Sequence, residues 1–369
     1  MKTRKRIKDV RHRLYGLLGA SLVAFTALAS CSKEPTASES VIEGKDGLLT
    51  FVPEFATVSG APQTMGLIDP NFTSKMVFDM GLFICDNNAV YPSSAYHPHA
   101  AGYFNMKGHC EANRVSAGDP ATYKWTFTPS NTTIPYSEAG VRISGGATVD
   151  VYAYTPYTTG SIADPTHIPY TASQDDYMYT APVMGVNSGS VNLQLKHAMT
   201  CFSFKIYTTR VGNAVLTGIK FTPKSNDFLV SSGTFDATTG AVNDRVYADE
   251  TTPLVVPIKN PTTGSIGVTL PTNTPDETTF DVIVPPILDY ADNAIELTLI
   301  FKNNGDPDTE YLTPVTIPAS SATFEDGKHQ FKRGYRYIYE VKIDNYTKFK
   351  PLGFEEWNTV PDQTIDVNI

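Results

Sequence analysis

Cysteine is scarce, with four in 369 residues. One of them, Cys31, closes the N-terminal segment and leaves Cys85, Cys110 and Cys201. That odd number argues against a designed disulfide framework. There is no Cys-x-x-Cys pair and no Gly-rich phosphate loop, so redox chemistry of the thioredoxin kind and phosphate cradling have no basis in the chain. Long helical periodicities are missing as well.

Aromatics are plentiful, with 20 Tyr and 19 Phe. Thr, Pro, Gly and Asn recur in clusters between short apolar runs. This is the composition of an all-β chain. Its length is large for one sandwich and natural for two domains. The formal charge of −9 hides a split. Seven basic residues and one acid, Asp9, precede Cys31. Taking these from totals of 29 and 38 leaves 22 basic against 37 acidic, a net −15. Such a chain is repelled by phosphate backbones, which excludes nucleic acid as a natural partner.

Residues 1–13 are basic, Leu14–Ala29 is apolar and small, and Leu28-Ala29-Ser30-Cys31 follows. This order of segments reads as a secretory signal peptide over 1–30 rather than a membrane span. The cysteine after Leu-Ala-Ser resembles a bacterial lipobox. That resemblance implies cleavage before Cys31 and acylation of Cys31, which would hold the protein on the outer membrane. Residues 31–47 are polar and aperiodic and read as a flexible tether.

Strands are expected over Leu48–Phe55, Met76–Cys85, Ala121–Thr128, Val141–Ser144 and Thr148–Tyr154. The division between an N-terminal sandwich (48–185) and a C-terminal one (186–369) is set at the Pro182–Gly189 punctuation. Val191–Tyr207 reads as the pivotal strand opening the second domain. Its apolar residues fall first on odd positions, then from Phe202 on even ones. The phase slip predicts a bulge or bend near Thr200–Phe202. Further strands are expected over Leu216–Thr222, Phe228–Phe235, Phe280–Val284, Ile295–Phe301, Tyr311–Ile317 and Tyr335–Ile343. Asn303-Asn304-Gly305-Asp306 supplies hairpin chemistry. Ile365, Val367 and Ile369 alternate with Asp366 and Asn368, giving an apolar-faced strand at the C-terminal end.

No catalytic constellation emerges, so the chain is read as a non-enzyme without cofactor or metal. His97 and His99, with His109 and Cys110 nearby, are the one metal-like grouping, and exposed loop histidines are the plainer reading. A Cys85–Cys110 bridge is geometrically conceivable in an exported chain, whereas Cys201 reads as a small buried apolar residue. His197 lacks a nucleophile and an orienting acid and reads as structural. Asp306-Pro307-Asp308 could offer oxygens to Ca²⁺, but turn chemistry explains it. Tyr91, Tyr96 and Tyr103 could stack on sugars. Tyr152, Tyr154 and Tyr157 are read as core.

Four pieces together resemble the fimbrillin-like pilin lipoproteins of Bacteroidota. They are Val149–Tyr157 (VDVYAYTPY), Asp176–Ala181 (DYMYTA), Leu195–Ala198 running into Phe202–Ile206, and Gly334–Tyr339 (GYRYIY) with Trp357 beyond it. The resemblance implies two transthyretin-like β-sandwich domains in tandem after a lipoprotein signal peptide. It also implies a fimbrial subunit or accessory protein at the cell surface, whose partners are other pilin subunits or itself, with a host or bacterial surface ligand. Assembly would proceed by strand exchange: a protease removes an N-terminal strand and a neighbour's terminal strand fills the groove. No Arg lies between Cys31 and Arg114. The processing candidates are therefore Lys45, which leaves the first strand in place, and Lys75, which would remove it. Ile365, Val367 and Ile369 are the candidate donor strand. The alternative is a surface lipoprotein that binds glycan through aromatic loops without polymerising.

Overall fold

The computed structural model describes residues 47–55, 74–87, 103–115, 121–128, 136–137, 140–144, 146–209, 214–225, 227–260, 263–272, 279–303, 306–343, 348–356 and 364–365. Cys31, Lys45, Tyr91, Tyr96, His97, His99, Trp357, Val367 and Ile369 lie outside these residues. The strands in order are β1 (Gly47–Phe55), β2 (Ser74–Asp86), β3 (Met106–Arg114), β4 (Thr122–Thr128), β5 (Tyr136–Ser137), β6 (Gly140–Ile143), β7 (Val149–Thr155), β8 (Ile168–Thr171), β9 (Met178–Thr180), β10 (Val183–Val186) and β11 (Gly189–His197). There follow β12 (Thr200–Thr208), β13 (Ala214–Pro223), β14 (Val230–Asp236), β15 (Ala241–Tyr247), β16 (Leu254–Pro257), β17 (Val268–Thr269), β18 (Phe280–Val284), β19 (Ile295–Asn303), β20 (Asp306–Thr316), β21 (Thr323–Glu325), β22 (Lys328–Gln330), β23 (Tyr335–Ile343), β24 (Lys348–Glu356) and β25 (Thr364–Ile365). Among the described residues the one helical element is a single 3₁₀ turn, Ala319–Ser321. The all-β expectation holds.

A ten-stranded sheet runs β4-β3-β2-β7-β9-β11-β1-β6-β5, with β10 added beside β7. It folds over its own core, because Trp125 of β4 meets Phe51 of β1 with ring centroids 6.2 Å apart. Leu49, Phe51, Met80, Leu82, Trp125, Phe127 and Leu193 are among the residues of this first core. The C-terminal part is a two-sheet sandwich. Sheet β18-β12-β23-β24-β25 faces sheet β16-β13-β19-β20, with Phe202, Phe204, Tyr337 and Tyr339 packed against Phe221, Leu297 and Leu299. A third core joins the outer face of the large sheet (Phe83, Tyr152, Tyr154) to the three-stranded sheet β15-β14-β8 (Tyr170, Phe235, Val242) and to Cys201 and Ile283.

That third core explains why β2 and β7 are apolar on both faces. β2 sends Phe78, Met80, Leu82 and Ile84 into the first core, and Phe83 and Cys85 into the third. β7 is buried at every position. A strand covered on both faces reads as a continuous apolar run rather than as alternation.

The expectation for Val191–Tyr207 needs correction. There is no bulge at Thr200–Phe202. The chain breaks earlier, at Ala198–Met199, into two strands of different sheets. β11 pairs parallel with β1 and antiparallel with β9, while β12 pairs parallel with β23 and antiparallel with β18. The phase slip arises because β11 turns its odd residues to the first core, whereas β12 turns Phe202, Phe204 and Ile206 to the second. The change of sheet therefore falls C-terminal to Pro182–Gly189, which instead supplies β10 and the turn into β11.

Eleven strands are absent from the sequence reading, and β3 and β24, at nine residues each, are the longest of them. β3 (MKGHCEANR) is poor in strand-forming residues because it must be thin. A Cβ on Gly108 would lie 3.0 Å from the Trp125 ring and 3.1 Å from Leu82. β24 is masked in sequence by Pro351 and Gly353, beside which the ladder to β23 shifts register at Ile338/Tyr339. The hairpin at Asn303 is observed: β19 and β20 pair down to Asn303↔Asp306.

The conceivable Cys85–Cys110 bridge is overturned. Cys110 stands opposite Phe78 on the first-core side, while Cys85 lies seven residues further along β2 and faces the third core. All three described cysteines are free and buried.

Candidate functional site

β1 is the element on which the expected assembly chemistry turns. Its inward residues Leu49, Phe51 and Pro53 alternate with Thr50, Val52 and the exposed Glu54. On one side it pairs parallel with β11 along its length, from Leu49↔Gly189 to Phe55↔Leu195. On the other it pairs with β6 only over Gly47↔Ile143 to Leu49↔Val141. Gly140 makes that approach possible, since a Cβ there would lie 2.2 Å from the Leu49 carbonyl oxygen. Beyond Leu49 two side chains from β4 attend to the backbone. Trp125 Nε1 donates to the Phe51 carbonyl at 3.0 Å, and the Tyr123 hydroxyl donates to the Pro53 carbonyl at 3.1 Å. Proline suits this stretch because it presents no N–H that would need a partner.

Among the described residues, two other edge strands carry features that hinder addition. On β18 the Gln174 side chain imitates a neighbouring strand: its Oε1 accepts from Ile283 N–H at 3.0 Å and its Nε2 donates to the Ile283 carbonyl at 3.4 Å. β20, an outer strand, carries Pro307 and Pro314 in its backbone. Sequence reasoning missed Gln174, Trp125 and Tyr123. The Tyr-Lys-Trp-Thr-Phe alternation does signal an inward Trp125, but nothing in it identifies the carbonyl that the indole meets.

Of the processing candidates, Lys75 is described. β2 begins at Ser74, so Lys75 lies within the strand rather than just before it. It pairs with Asn113, and its Nζ stands 3.1 Å from Glu111. At the C-terminal end, Ile365 pairs with Phe354 on the outer side of β24.

His197 is fully buried, and its orienting acid is Asp176, with Nδ1 and Oδ2 at 2.8 Å and both side chains at 0–1 % exposure. Burial pushes the Asp176 carboxyl above its usual range, and the attraction of His197 opposes that rise. Both side chains are buried, and the pair ties the end of β11 to the segment that leads into β9. On the sheet face toward the third core, Ser203 donates to Asp281 at 2.5 Å, and Arg336 reaches Ser203 at 2.6 Å and Thr279 at 3.0 Å. This buried network joins β12, β18 and β23 and accounts for the arginine of Gly-Tyr-Arg-Tyr.

His109 belongs to a surface grid: it sits 2.6 Å from Asp79, which also meets Lys107 at 2.8 Å. Among the described residues no group of three His, Cys, Asp or Glu could hold a metal ion. Tyr103, Tyr152 and Tyr154 are buried. The Tyr103 hydroxyl donates to the Arg142 carbonyl, which removes it from the residues that could stack on sugars.

No curated protein sequence matches the chain. Its fold is similar to the crystal structure of a candidate cell adhesion protein from Bacteroides ovatus, with a TM-score of 0.52 at 16 % identity, covering 86 % of this chain and 99 % of that one. The tip fimbrial protein Mfa3 of Porphyromonas gingivalis aligns at 10 % identity and a TM-score of 0.36, covering 76 % of this chain and 94 % of that one. A sequence profile of the fimbrillin-like family matches residues 105–365. With well over half of its length matched, the chain belongs to the fimbrillin-like family.

Proposed function

We propose that the protein is a surface-displayed fimbrial subunit or accessory adhesin, anchored in the outer membrane through acylated Cys31 and assembled by strand exchange at the β1 position. The observation that carries this reading is the place of β1. It is held between β11 and β6, buries one face only, and its inward residues line the first core beside strands distant in sequence. Withdrawing it would bare a groove edged by β11 and floored by Trp125, Phe127, Val191 and Leu193, which is a template for an added strand. The proposed donor is the segment carrying Ile365, Val367 and Ile369 from a neighbouring copy or another pilin subunit.

Lys75 is the cut that frees β1. Because it sits in the β2 ladder opposite Asn113, cleavage there needs the end of that ladder to fray, so processing is slow. Lys45 serves only to release the lipid. The test treats the full chain with a Lys-specific protease and runs the products unheated in SDS. An SDS-resistant ladder, together with loss of the β1 fragment, is the expected outcome. A monomer that retains β1 after complete cutting at Lys75 overturns strand exchange.

A further inference from the structure

We infer that Trp125 and Tyr123 form a two-point clamp that reads the backbone of whatever strand occupies the β1 position and so fixes which of its alternate residues face the core. This inference rests on the strand-exchange reading above and names the chemistry of the occupant. The two donors meet carbonyls two residues apart, at Phe51 and Pro53, on one strand. Residues two apart share a direction in an extended chain. A side-chain hydroxyl and an indole N–H therefore do what a neighbouring backbone would do, just where pairing with β6 has stopped.

A backbone carbonyl is present at every residue, so this recognition is independent of sequence. Both ends of the clamp lie on β4, whose inward residues Trp125 and Phe127 stack at 5.6 Å and whose pairing with β3 is continuous from Lys107↔Thr128 to Asn113↔Thr122. The clamp thus stays in place when β1 leaves. Sequence preference comes from a second contact. Phe51 sits edge-on to Phe127 at 5.6 Å and to Trp125 at 6.2 Å.

The occupant is an extended segment of another copy of this chain. It runs parallel to β11 with three apolar residues at alternate positions. An aromatic is favoured at the centre, and proline is tolerated at the third. If Ile365, Val367 and Ile369 take the places of Leu49, Phe51 and Pro53, the centre is Val367. A Val367→Phe donor then binds more tightly than the natural one.

Two measurements separate the clamp from the strand-exchange reading. In the intact full chain, Tyr123→Phe keeps the ring and removes one donor. Amide exchange of Leu49–Phe55 then accelerates about two- to ten-fold, the size of one net hydrogen bond, with β23 unchanged. Unchanged β1 exchange overturns the clamp, whatever happens in assembly.

In the second measurement a specific protease site is inserted between Phe55 and Ser74 and cut. Fluorescent peptides then compete for the groove, one with the sequence of Gly47–Phe55 and one with that of residues 362–369. Anisotropy reports their dissociation rates. The clamp requires Tyr123→Phe to speed both peptides by the same factor. A penalty confined to one peptide overturns backbone reading. If neither peptide replaces β1 in the otherwise native cut chain, strand exchange fails, while the intact-chain result still decides the clamp.

Discussion

Replacing Phe51 with alanine removes a ring that is 3 % exposed at the heart of the first core. A buried Phe→Ala change costs about 3–5 kcal/mol, of which edge-to-face contacts with Trp125 and Phe127 supply about 0.5–1.5 kcal/mol. The cavity is slow to collapse because the Trp125 indole is tied to the Phe51 backbone, which stays in place. The cost therefore belongs in the upper part of that range. If β1 opens as a unit, about 3 kcal/mol or more raises its opening constant by at least ~100-fold, at 1.36 kcal/mol per decade. Hydrogen exchange by mass spectrometry on the full chain reads this directly. Peptides covering Leu49–Phe55 are expected to exchange at least ~100 times faster in Phe51→Ala. Peptides covering Tyr335–Ile343, in the second core, serve as the reference and stay at the wild-type rate. Val52→Ala, at a half-buried position on the other face, shifts neither by more than a few-fold. Equal acceleration of β1 and β23 would refute the reasoning, since it would mean that β1 cannot open without the rest of the fold.

Three further outcomes are expected. Asp79 is held below its ordinary carboxylate value: burial would raise it, but hydrogen bonds and charge from Lys107 and His109 outweigh burial. A depressed carboxylate contributes stability above its unfolded value, near pH 3.9, and loses it as pH falls through the folded value. The wild type therefore exceeds Asp79→Asn in Tm at pH 7, by an amount equivalent to less than about 1 kcal/mol for so exposed a group, and the difference vanishes toward pH 2. Asp176→Ala breaks a buried pair and lowers the unfolding free energy by about 3–5 kcal/mol, read as a lower urea midpoint at unchanged m-value, whereas Asp176→Asn costs less because it keeps the shape of the site. Burial pushes the Cys85 and Cys110 thiols up to about 12, so both resist thiol reagents at pH 8 until urea unfolds the chain, and reductant leaves Tm unchanged; a Tm that falls on reduction would contradict the free thiols.

Much of the architecture is legible in the sequence where one face of a strand is wet. β4 alternates because Trp125 and Phe127 point inward while Lys124 and Thr126 meet solvent. β23 and β18 show their bounds for the same reason or by an unbroken apolar run. The reading fails where tertiary packing overrides pattern. β3 carries Gly108 and Ala112 because a large ring lies on it, and small residues give no strand signal. The phase slip in Val191–Tyr207 is real, yet a sequence cannot distinguish one bulged strand from two strands in different sheets. The difference lies in partners more than 130 residues away in β23. At the candidate site the apolar alternation of β1 is visible, but the Trp125, Tyr123 and Gln174 bonds to backbone are not. A side chain that caps a carbonyl has no spacing rule to betray it. Asp176 illustrates the same limit: it stands 21 positions before His197, and only the β9–β11 ladder brings the two together.

Under the proposed strand exchange, β1 is better suited to leave than β2 or β7. β2 and β7 bury both faces, one in the first core and one in the third, so removing either would open two cores. β1 contributes residues to the first core alone, and its outward residues are half-buried or exposed. Its parallel neighbour, the template that any replacement must find, is fastened independently. β11 pairs with β9 over Leu195↔Thr180 to His197↔Met178, its last side chain is locked to Asp176, and Ala198 N–H donates to the Tyr177 carbonyl at 2.8 Å. None of these bonds involves β1. Loss of β1 therefore leaves β11 in register and the Trp125 and Tyr123 donors aimed at the vacated line, while β6, whose other ladder is to the two-residue β5, regains its main backbone partner only when a newcomer pairs with it. A groove that keeps its shape when empty costs an incoming strand less ordering than one that must be rebuilt, which is the physical condition for exchange to favour the assembled state.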